Sequence, residues 1–489
     1  MRGGLLFNQN LIITMLTNTK KTKIVCTIGP VTESEPKLIE LLKAGMNVMR
    51  LNFSHGDFAE HGGRVVNLRS AMEKTGIPAA IMQDLGGPKI RIGTFSTDSV
   101  ILKEGATFTL TTEAIIGDEK RVSVNYPLLP KEVSKGHTIF LHDGKKRLEV
   151  LEVKGKEIIC KIIVGGEIKG KRGVNLPDSD LSISALTEKD RTDLEFGIKN
   201  KVDFIALSFV RRPSDITELR EILEKAKCKA GIIAKIETPQ AVSCIDEIIE
   251  LVDGIMVARG DLAIEIPAEE VPLVQKMIIK KCNAAGKPVI TATQMLESMI
   301  KSPVPTRAEV SDVANAILDG TDAIMLSEET TLGDFPLQAV EVMTRVAKHV
   351  ESDFLHKQLL NHDRSTDMVL PVGQSVTASA VKTADRVGAK FLISLTESGY
   401  SARMLSRYKP TQPILVFTPN KDTYNRSILS FGTYPVLLER FRDLGPVLKV
   451  IRAFCLKNKL AKKGDMVVIA SGMPFGKVIG TNMLLVETI

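Results

Sequence analysis

Tryptophan is absent from the 489 residues, and aromatic residues of all kinds make up only 4%. That scarcity argues against a surface that binds nucleic acid by stacking bases on rings. Cysteine is sparse: Cys26, Cys160, Cys228, Cys244, Cys282 and Cys455 form no CxxC pair, and several sit inside apolar runs. Reduced, buried thiols in a cytoplasmic protein fit this better than disulfides or zinc. The seven histidines show no metal-ligand spacing. No apolar run is long enough to span a membrane. The net charge of +7 is modest and gathers in no long basic run, which suits anionic metabolites and no nucleic acid. Also missing are GxxxxGK[ST], HExxH and GxSxG. The stretch LLFNQNLIITML is only weakly like a signal segment, and no clear cleavage site follows it. Residues 1–21 are expected to form an extension, disordered or lying on the surface.

What is present is a recurring unit: a short apolar strand, a polar turn, an amphipathic helix. Eight strands are expected: KIVCTIG, NVMRLNF, AAIMQDL, DFIALSF, GIIAKIE, DGIMVAR, PVITATQ and DAIMLSE. Continuous apolar runs of this length read as parallel strands buried on both faces. Eight such βα units predict a (β/α)8 barrel, with an open doubly wound sheet as the alternative. Between the third and fourth strands, period-two alternation replaces helical spacing, as in HTIFLHD and KRLEVLEV. This predicts an inserted β module over the barrel mouth, able to act as a lid. After the polar connector HKQLLNHDRSTD the chain alternates again, predicting a C-terminal α/β domain. The expected domains are the extension 1–21, the barrel 22–87 and 185–355, the insert 88–184, and the C-terminal domain 356–489.

Polar residues cluster at the C-terminal ends of the barrel strands, where such barrels build active sites. Lys235 and Glu237 lie two apart and so share a face. Asp261 and Arg259 follow the next strand, and Ala241–Val252 between them reads as one helix. Two carboxylates at adjacent strand ends suit a hydrated divalent cation such as Mg²⁺. A structural Lys–Glu pair at the rim is the alternative. Arg50, Asn52 and Ser54 also alternate on one face, and Arg50 can fork onto a phosphate or carboxylate. His55 suits either a general base or a turn- or helix-fixing role. Asp84 and the glycines of QDLGGPKIRIG, with Lys89 and Arg91 beyond, suit either close approach to a ligand or a hinge. Thr293 and Ser327 end strands too, where helix capping competes with chemistry.

Together these segments resemble the pyruvate kinase family from about Thr22 to Ile489. The resemblance is carried by KIVCTIGP, MRLNFSHG, DLGGPKIRIG, KRGVNLP, ALSFVR, AKIET, MVARGDLAIEI, TATQMLESM, PTRAEVSDVANAILDGTDAIMLSEET and SGMPFGKVIGTN. It implies the barrel, a β-barrel lid and a C-terminal regulatory domain. It also implies phosphoryl transfer from phosphoenolpyruvate to ADP, giving pyruvate and ATP in glycolysis, and a cytoplasmic homotetramer under allosteric control.

Residue by residue, the resemblance implies Glu237 and Asp261 as ligands of Mg²⁺ or Mn²⁺. Arg50, Lys235, Gly260, Asp261 and Thr293 would meet the substrate, with Arg50, Lys235, Thr293 and Ser327 catalytic. Arg91, Arg172, Asn52 and His55 would meet the nucleotide, and the lid would bring Asp143 and Arg172 toward it. A K⁺ site in many members matches Asn52, Ser54, Asp84 and the backbone of Leu85. Those members carry Glu where this chain has Lys89, and Leu85 and Gly86 resemble the K⁺-independent branch, so activity without K⁺ is expected. Arg172 stands where Lys is usual, and Glu328 where Gly is common. Thr396, Glu397, Ser398, Gly399, Tyr400 and Ser401 resemble the effector-phosphate loop. Glu397 opposes a phosphate there, predicting weak or absent fructose 1,6-bisphosphate activation; a plain helix N-cap is the alternative reading of that loop. A barrel aldolase forming a Schiff base through Lys235 is the competing enzyme class.

Overall fold

The computed structural model describes residues 20–351, 370–440, 442–475 and 480–489. The expectations for most of the N-terminal extension and for the connector at 356–367 lie outside the described residues.

All eight expected strands form: Lys23–Thr27, Val48–Asn52, Ala80–Asp84, Phe204–Leu207, Gly231–Ile236, Gly254–Ala258, Val289–Ala292 and Ala323–Leu326. They are numbered here one to eight as barrel strands. Each pairs in parallel with its neighbours in sequence, and the first pairs with the eighth, closing the barrel. Every residue but Asn52 in these strands is buried, which is why they read as unbroken apolar runs. Side chains such as Val25, Met82, Ile233 and Met325 fill the interior, while the outward set packs under the helices.

The helices are started by their own sequence signals. Asp57 caps Phe58–Thr75, Thr187 caps Glu188–Lys199 and Thr306 caps Arg307–Leu318, each through a reciprocal capping box. The segment expected as one helix over Ala241–Val252 is instead two, Pro239–Ser243 and Ile245–Leu251. The break falls at Cys244, whose thiol donates to the Gln240 and Arg211 carbonyls.

The insert builds a six-stranded sheet and a two-stranded pair around one core that includes Phe108, Leu148 and Ile162. It is tied down on the barrel rim. Asn175 Nδ2 donates to Glu265 Oε1 at 2.8 Å, Gln240 Nε2 to the Ser179 carbonyl at 3.2 Å, and Arg212 Nη2 to the Leu181 carbonyl at 2.9 Å.

In the C-terminal part, strands Phe391–Leu395, Ile414–Thr418, Thr433–Leu437 and Met466–Ser471 run parallel, and Met483–Thr488 is antiparallel at one edge. This domain closes the floor of the barrel. Tyr424, Ile428 and Leu429, from the helix Lys421–Ser427 and the turn after it, pack into the barrel's interior cluster. Around them Asp322 pairs with Lys409 Nζ at 2.9 Å and accepts the Phe431 N–H at 2.9 Å. Lys23 Nζ donates to the Thr433 carbonyl at 2.7 Å.

Candidate active site

The second to fifth strands and the residues just past their ends place five polar side chains, Arg50, Asp84, Ser208, Lys235 and Glu237, at one end of the barrel. Arg50 Nε donates to Asp84 Oδ2 at 2.6 Å, and its Nη1 to Thr27 Oγ1 at 2.8 Å. Lys235 Nζ lies 2.9 Å from Glu237 Oε1 and 3.3 Å from Asp84 Oδ1, and donates to Ser208 Oγ at 2.7 Å. Ser208 in turn donates to the Leu85 carbonyl at 2.7 Å. All five of these polar side chains are buried. Buried charge is tolerated only when paired and hydrogen-bonded, and here two cations interleave with two carboxylates.

The electrostatics follow from that interleaving. Burial alone would lower the Lys235 pKa, but Asp84 and Glu237 outweigh it and hold the ammonium above the ordinary lysine range. Burial alone would raise Asp84, but Arg50 and Lys235 hold it below the ordinary carboxylate range. Glu237 goes the other way: burial, helped by the Asp261 carboxylate, pushes it up against the pull of Lys235. The lysine serves two carboxylates, whereas Glu237 shares that one lysine with Asp84. Glu237 Oε2 accepts the Phe209 N–H at 2.7 Å, while Oε1 is buried and accepts no aligned hydrogen bond among the described residues.

Asp261 is not at a strand end as expected; it sits in the first turn of a short helix, Arg259–Glu265. Arg259 does not join the mouth. Its guanidinium forks onto Asp312 at 2.7 and 2.8 Å and holds the Ala292 and Thr293 carbonyls at 3.2 and 2.7 Å. It therefore shapes the turn that presents Thr293. Thr293 and Gln294 take left-handed backbone, φ 68° and 55°, which non-glycine residues adopt only under constraint. Thr293 Oγ1 accepts the Gly260 N–H at 2.7 Å and donates to the Ala292 carbonyl at 2.6 Å. Ser327 occupies the position before a one-turn helix but makes no side-chain cap; its N–H goes to buried Glu329 at 2.7 Å. Glu328 is exposed.

On the other rim, Lys89 Nζ donates to Ser54 Oγ at 2.9 Å. Asn52 Oδ1 accepts the Ser54 N–H at 3.1 Å. The His55 ring is exposed, and the capping role is taken by Asp57 instead. Burial first, then Lys89, Arg91 and Arg50, lower the His55 pKa. Between lid and barrel a cleft of about 160 Å³ is lined by Lys89, Arg91, Asp143, Asn175, Asp261 and Glu265. Arg91 Nη1 is held by the Lys171 carbonyl at 2.9 Å. Arg172 is half-buried and outside that lining, with a buried Nε that donates to nothing among the described residues.

The loop Thr396–Ser401 lies in the C-terminal domain, away from the mouth. Thr396 Oγ1 accepts the Gly399 N–H at 3.0 Å, and Ser398 Oγ the Tyr400 N–H at 3.4 Å. The next helix, Tyr400–Ser406, has Gly399 at its N-cap and no side-chain cap. Ser401 Oγ meets Thr481 Oγ1 at 2.7 Å, and Glu397 faces Arg440 at 3.4 Å.

Ser208 is the site residue that sequence reasoning did not single out. It links Lys235 to the Leu85 carbonyl, and its place just past the fourth strand was the available signal.

Family models match two parts of the chain: "Pyruvate kinase, barrel domain" over residues 19–340 and "Pyruvate kinase, alpha/beta domain" over 374–487. The chain belongs to the pyruvate kinase family. The pyruvate kinase of Geobacillus stearothermophilus is 46% identical over 96% of this chain and 80% of its own length. That of Clostridium acetobutylicum is 42% identical over 96% of this chain and all of its own. A pyruvate kinase crystal structure from Cryptosporidium parvum superposes with a TM-score of 0.91 at 37% identity, covering 99% of both chains. As a pyruvate kinase, the chain is a glycolytic phosphotransferase, passing a phosphoryl group from phosphoenolpyruvate to ADP. The aldolase alternative is not favoured: a Schiff-base lysine must lose its proton, and Lys235 is held charged by two carboxylates. Among the described residues no helix is long and apolar enough to cross a membrane.

Proposed function

We propose that the mouth works by charge neutralisation, with Arg50 and Lys235 gripping the substrate phosphoryl group between them. The observation that carries this is the buried lattice of Arg50, Asp84, Lys235 and Glu237, which fixes two cations where charge moves. Phosphoryl transfer is mostly positioning and electrostatics, so a preorganised pair of cations suits it. Lys235 balances the transferring group first and the enolate oxygen afterwards. Thr293, acting with Ser327 and ordered water, then protonates carbon. Its hydroxyl must release the Ala292 carbonyl to do so. Gly260 belongs to the same subsite through its N–H on Thr293. Arg91, Arg172, Asn52 and His55 form the nucleotide side, with the lid excluding water.

Glu237 and Asp261 fit a divalent cation. Glu237 Oε1 is a buried acceptor with spare capacity, and the two like charges disfavour ionisation when nothing lies between them. Mg²⁺ or Mn²⁺ supplies neutralisation of the anionic substrate when bound. For the monovalent site expected at Asn52, Ser54, Asp84 and Leu85, the Lys89 ammonium held on Ser54 Oγ supports activity without K⁺. The Glu397–Arg440 pair supports a poor site for a sugar bisphosphate, because the carboxylate already occupies a neighbouring cation.

The distinct main cores of barrel, insert and C-terminal domain support the domain division given above, and six unbonded thiols support a cytoplasmic location. The homotetramer rests on the family resemblance. A coupled assay with phosphoenolpyruvate, ADP and Mg²⁺ tests the whole reading. Turnover abolished by chelation and restored by Mg²⁺ is expected; unaltered turnover in chelator would overturn the metal assignment.

A further inference from the structure

The short helix Arg259–Glu265 is fastened at both ends. At its start the Gly260 N–H donates to Thr293 Oγ1 at 2.7 Å, and Arg259 forks onto Asp312. Asp261 lies in its first turn. At its end Glu265 reaches the lid. Glu265 Oε1 accepts Asn175 Nδ2 at 2.8 Å, and the Leu176 N–H is a second donor to the same carboxylate. The lid turn after Asp143 rests on this helix too, since a β-carbon at Gly144 would lie 3.6 Å from Ile264 Cγ2.

The place of Asn175 in the lid gives that contact its meaning. The lid strand Val174–Asn175 pairs antiparallel with the strand Thr138–Leu141, which leads into Asp143. Arg91 forms an antiparallel bridge with Gly173. The Ile92 N–H donates to the Arg172 carbonyl and the Val174 N–H to the Ile90 carbonyl, both at 2.9 Å. Arg91, Asp143 and Arg172 are thus carried on backbone paired to, or continuous with, the stretch that Glu265 holds.

A glutamate is a costly fastener at this place. Glu265 lines the same cleft as Asp261. Burial pushes its carboxyl up to about 7; the two lid donors pull it back, and the Asp261 and Glu237 carboxylates add to the rise. A neutral acceptor would hold Asn175 without that repulsion. Other ties between lid and barrel avoid the Asp261 helix: the Ser179 carbonyl is held by Gln240 and the Leu181 carbonyl by Arg212.

We infer that Glu265 is a positioning residue for phosphoryl transfer: through Asn175 and Leu176 it sets the lid's nucleotide-side groups against the helix that presents Asp261. The inference rests on the reading of Asp261 as a cation ligand and of the lid as the nucleotide side. Glu265 touches no reacting atom. It fixes the separation between the group that holds the cation and the groups that meet ADP, and transfer between two bound anions tolerates little error in that separation.

The test is a double-mutant cycle read in steady-state kinetics. Asn175→Asp sets two carboxylates face to face. It should raise KM for ADP and lower kcat, each by about tenfold, with KM for phosphoenolpyruvate within about twofold of wild type. Glu265→Ala should do the same. In Asn175→Asp/Glu265→Gln the new amide donates to the new carboxylate, and both parameters should return to within about threefold of wild type. Amide hydrogen exchange, measured without metal or nucleotide, gives a second readout. Glu265→Ala should quicken exchange in both 173–176 and 259–265, whereas Arg212→Ala should leave 259–265 unchanged. The inference is overturned if the double variant is not restored, or if Glu265→Ala leaves KM for ADP and kcat at wild-type values. It is equally overturned if both KM values rise alike with a lowered thermal midpoint, or if Arg212→Ala loosens 259–265 as Glu265→Ala does. Wild-type turnover unaltered in chelator would instead sink the metal assignment, and the exchange result would still stand or fall on Glu265 alone.

Discussion

Replacing Lys89 by glutamate reverses one charge at the mouth and leaves the buried lattice of Arg50, Asp84, Lys235 and Glu237 untouched. Lys89 Nζ is held on Ser54 Oγ at 2.9 Å. Burial, and then repulsion from Lys235, depress its pKa, so it adds positive charge to an already positive neighbourhood. For a charge about 8 Å from a reacting group, Coulomb's law gives about 2 kcal/mol at an effective dielectric of about 20, the scale taken here for Lys89. Lys89→Gln should therefore lose about 2 kcal/mol of transition-state stabilisation, roughly thirtyfold in kcat. Lys89→Glu should lose about 4 kcal/mol, roughly a thousandfold. Added K⁺ restores what the lysine supplied, so the Glu variant should recover most of its rate in K⁺ and little in Na⁺. The wild type should be indifferent to both. The assay is initial-rate turnover in a buffer whose cations are tetraalkylammonium, with K⁺ or Na⁺ added back. A wild type stimulated more than about tenfold by K⁺ refutes the reasoning, as does a Glu variant that ignores K⁺.

Four further outcomes are expected. Lys235→Met should lower kcat by about a thousandfold while changing KM for ADP little; equal loss in both would mean that it only shapes the site. Lys409→Met strands the buried Asp322 carboxylate and should cost about 3–5 kcal/mol in urea unfolding, whereas an effect under about 1 kcal/mol would show the pair to be dispensable. Asp203 titrates near 6 when folded and 3.8 when unfolded, so its contribution is full at low pH and lost as pH rises through about 6. The stability advantage of wild type over Asp203→Asn should thus shrink by up to about 3 kcal/mol between pH 4 and 7, and a constant difference would contradict it. Titration with fructose 1,6-bisphosphate should leave half-saturation by phosphoenolpyruvate nearly unchanged; a large fall would show that Arg440 takes Glu397 out of the way.

Much of the fold was readable because parallel barrel strands are buried on both faces and stand out as apolar runs. Their ends were overrun by a residue or two, since Ile28, Gly29 and Phe53 are buried like the strands they follow but lie past the last paired residues, Thr27 and Asn52. The strand Thr433–Leu437 went unseen: TYPVL contains a proline, which only an edge position tolerates. The helix Lys421–Ser427, sequence KDTYNRS, shows no apolar period because its role is to insert one ring and the turn beyond it into the barrel floor. At the mouth, Lys235, Glu237 and Arg50 were legible from strand alternation. Arg259 misled because its partner, Asp312, lies far along the chain and no local spacing announces the fork. Ser208 was passed over because its one signal, a place just past the fourth strand, is shared by many serines that meet no lysine.

The seal formed by Tyr424, Ile428 and Leu429 bears on how this protein can be cut and recombined. An enzyme whose catalytic half ends in a self-contained floor tolerates loss or exchange of its appendage. Here three side chains of the appendage complete the lowest tier of the catalytic half, so truncating before residue 421 would open a wet hole beneath the reaction. Chimeras that keep the graft point after Leu429 should survive where shorter ones fail.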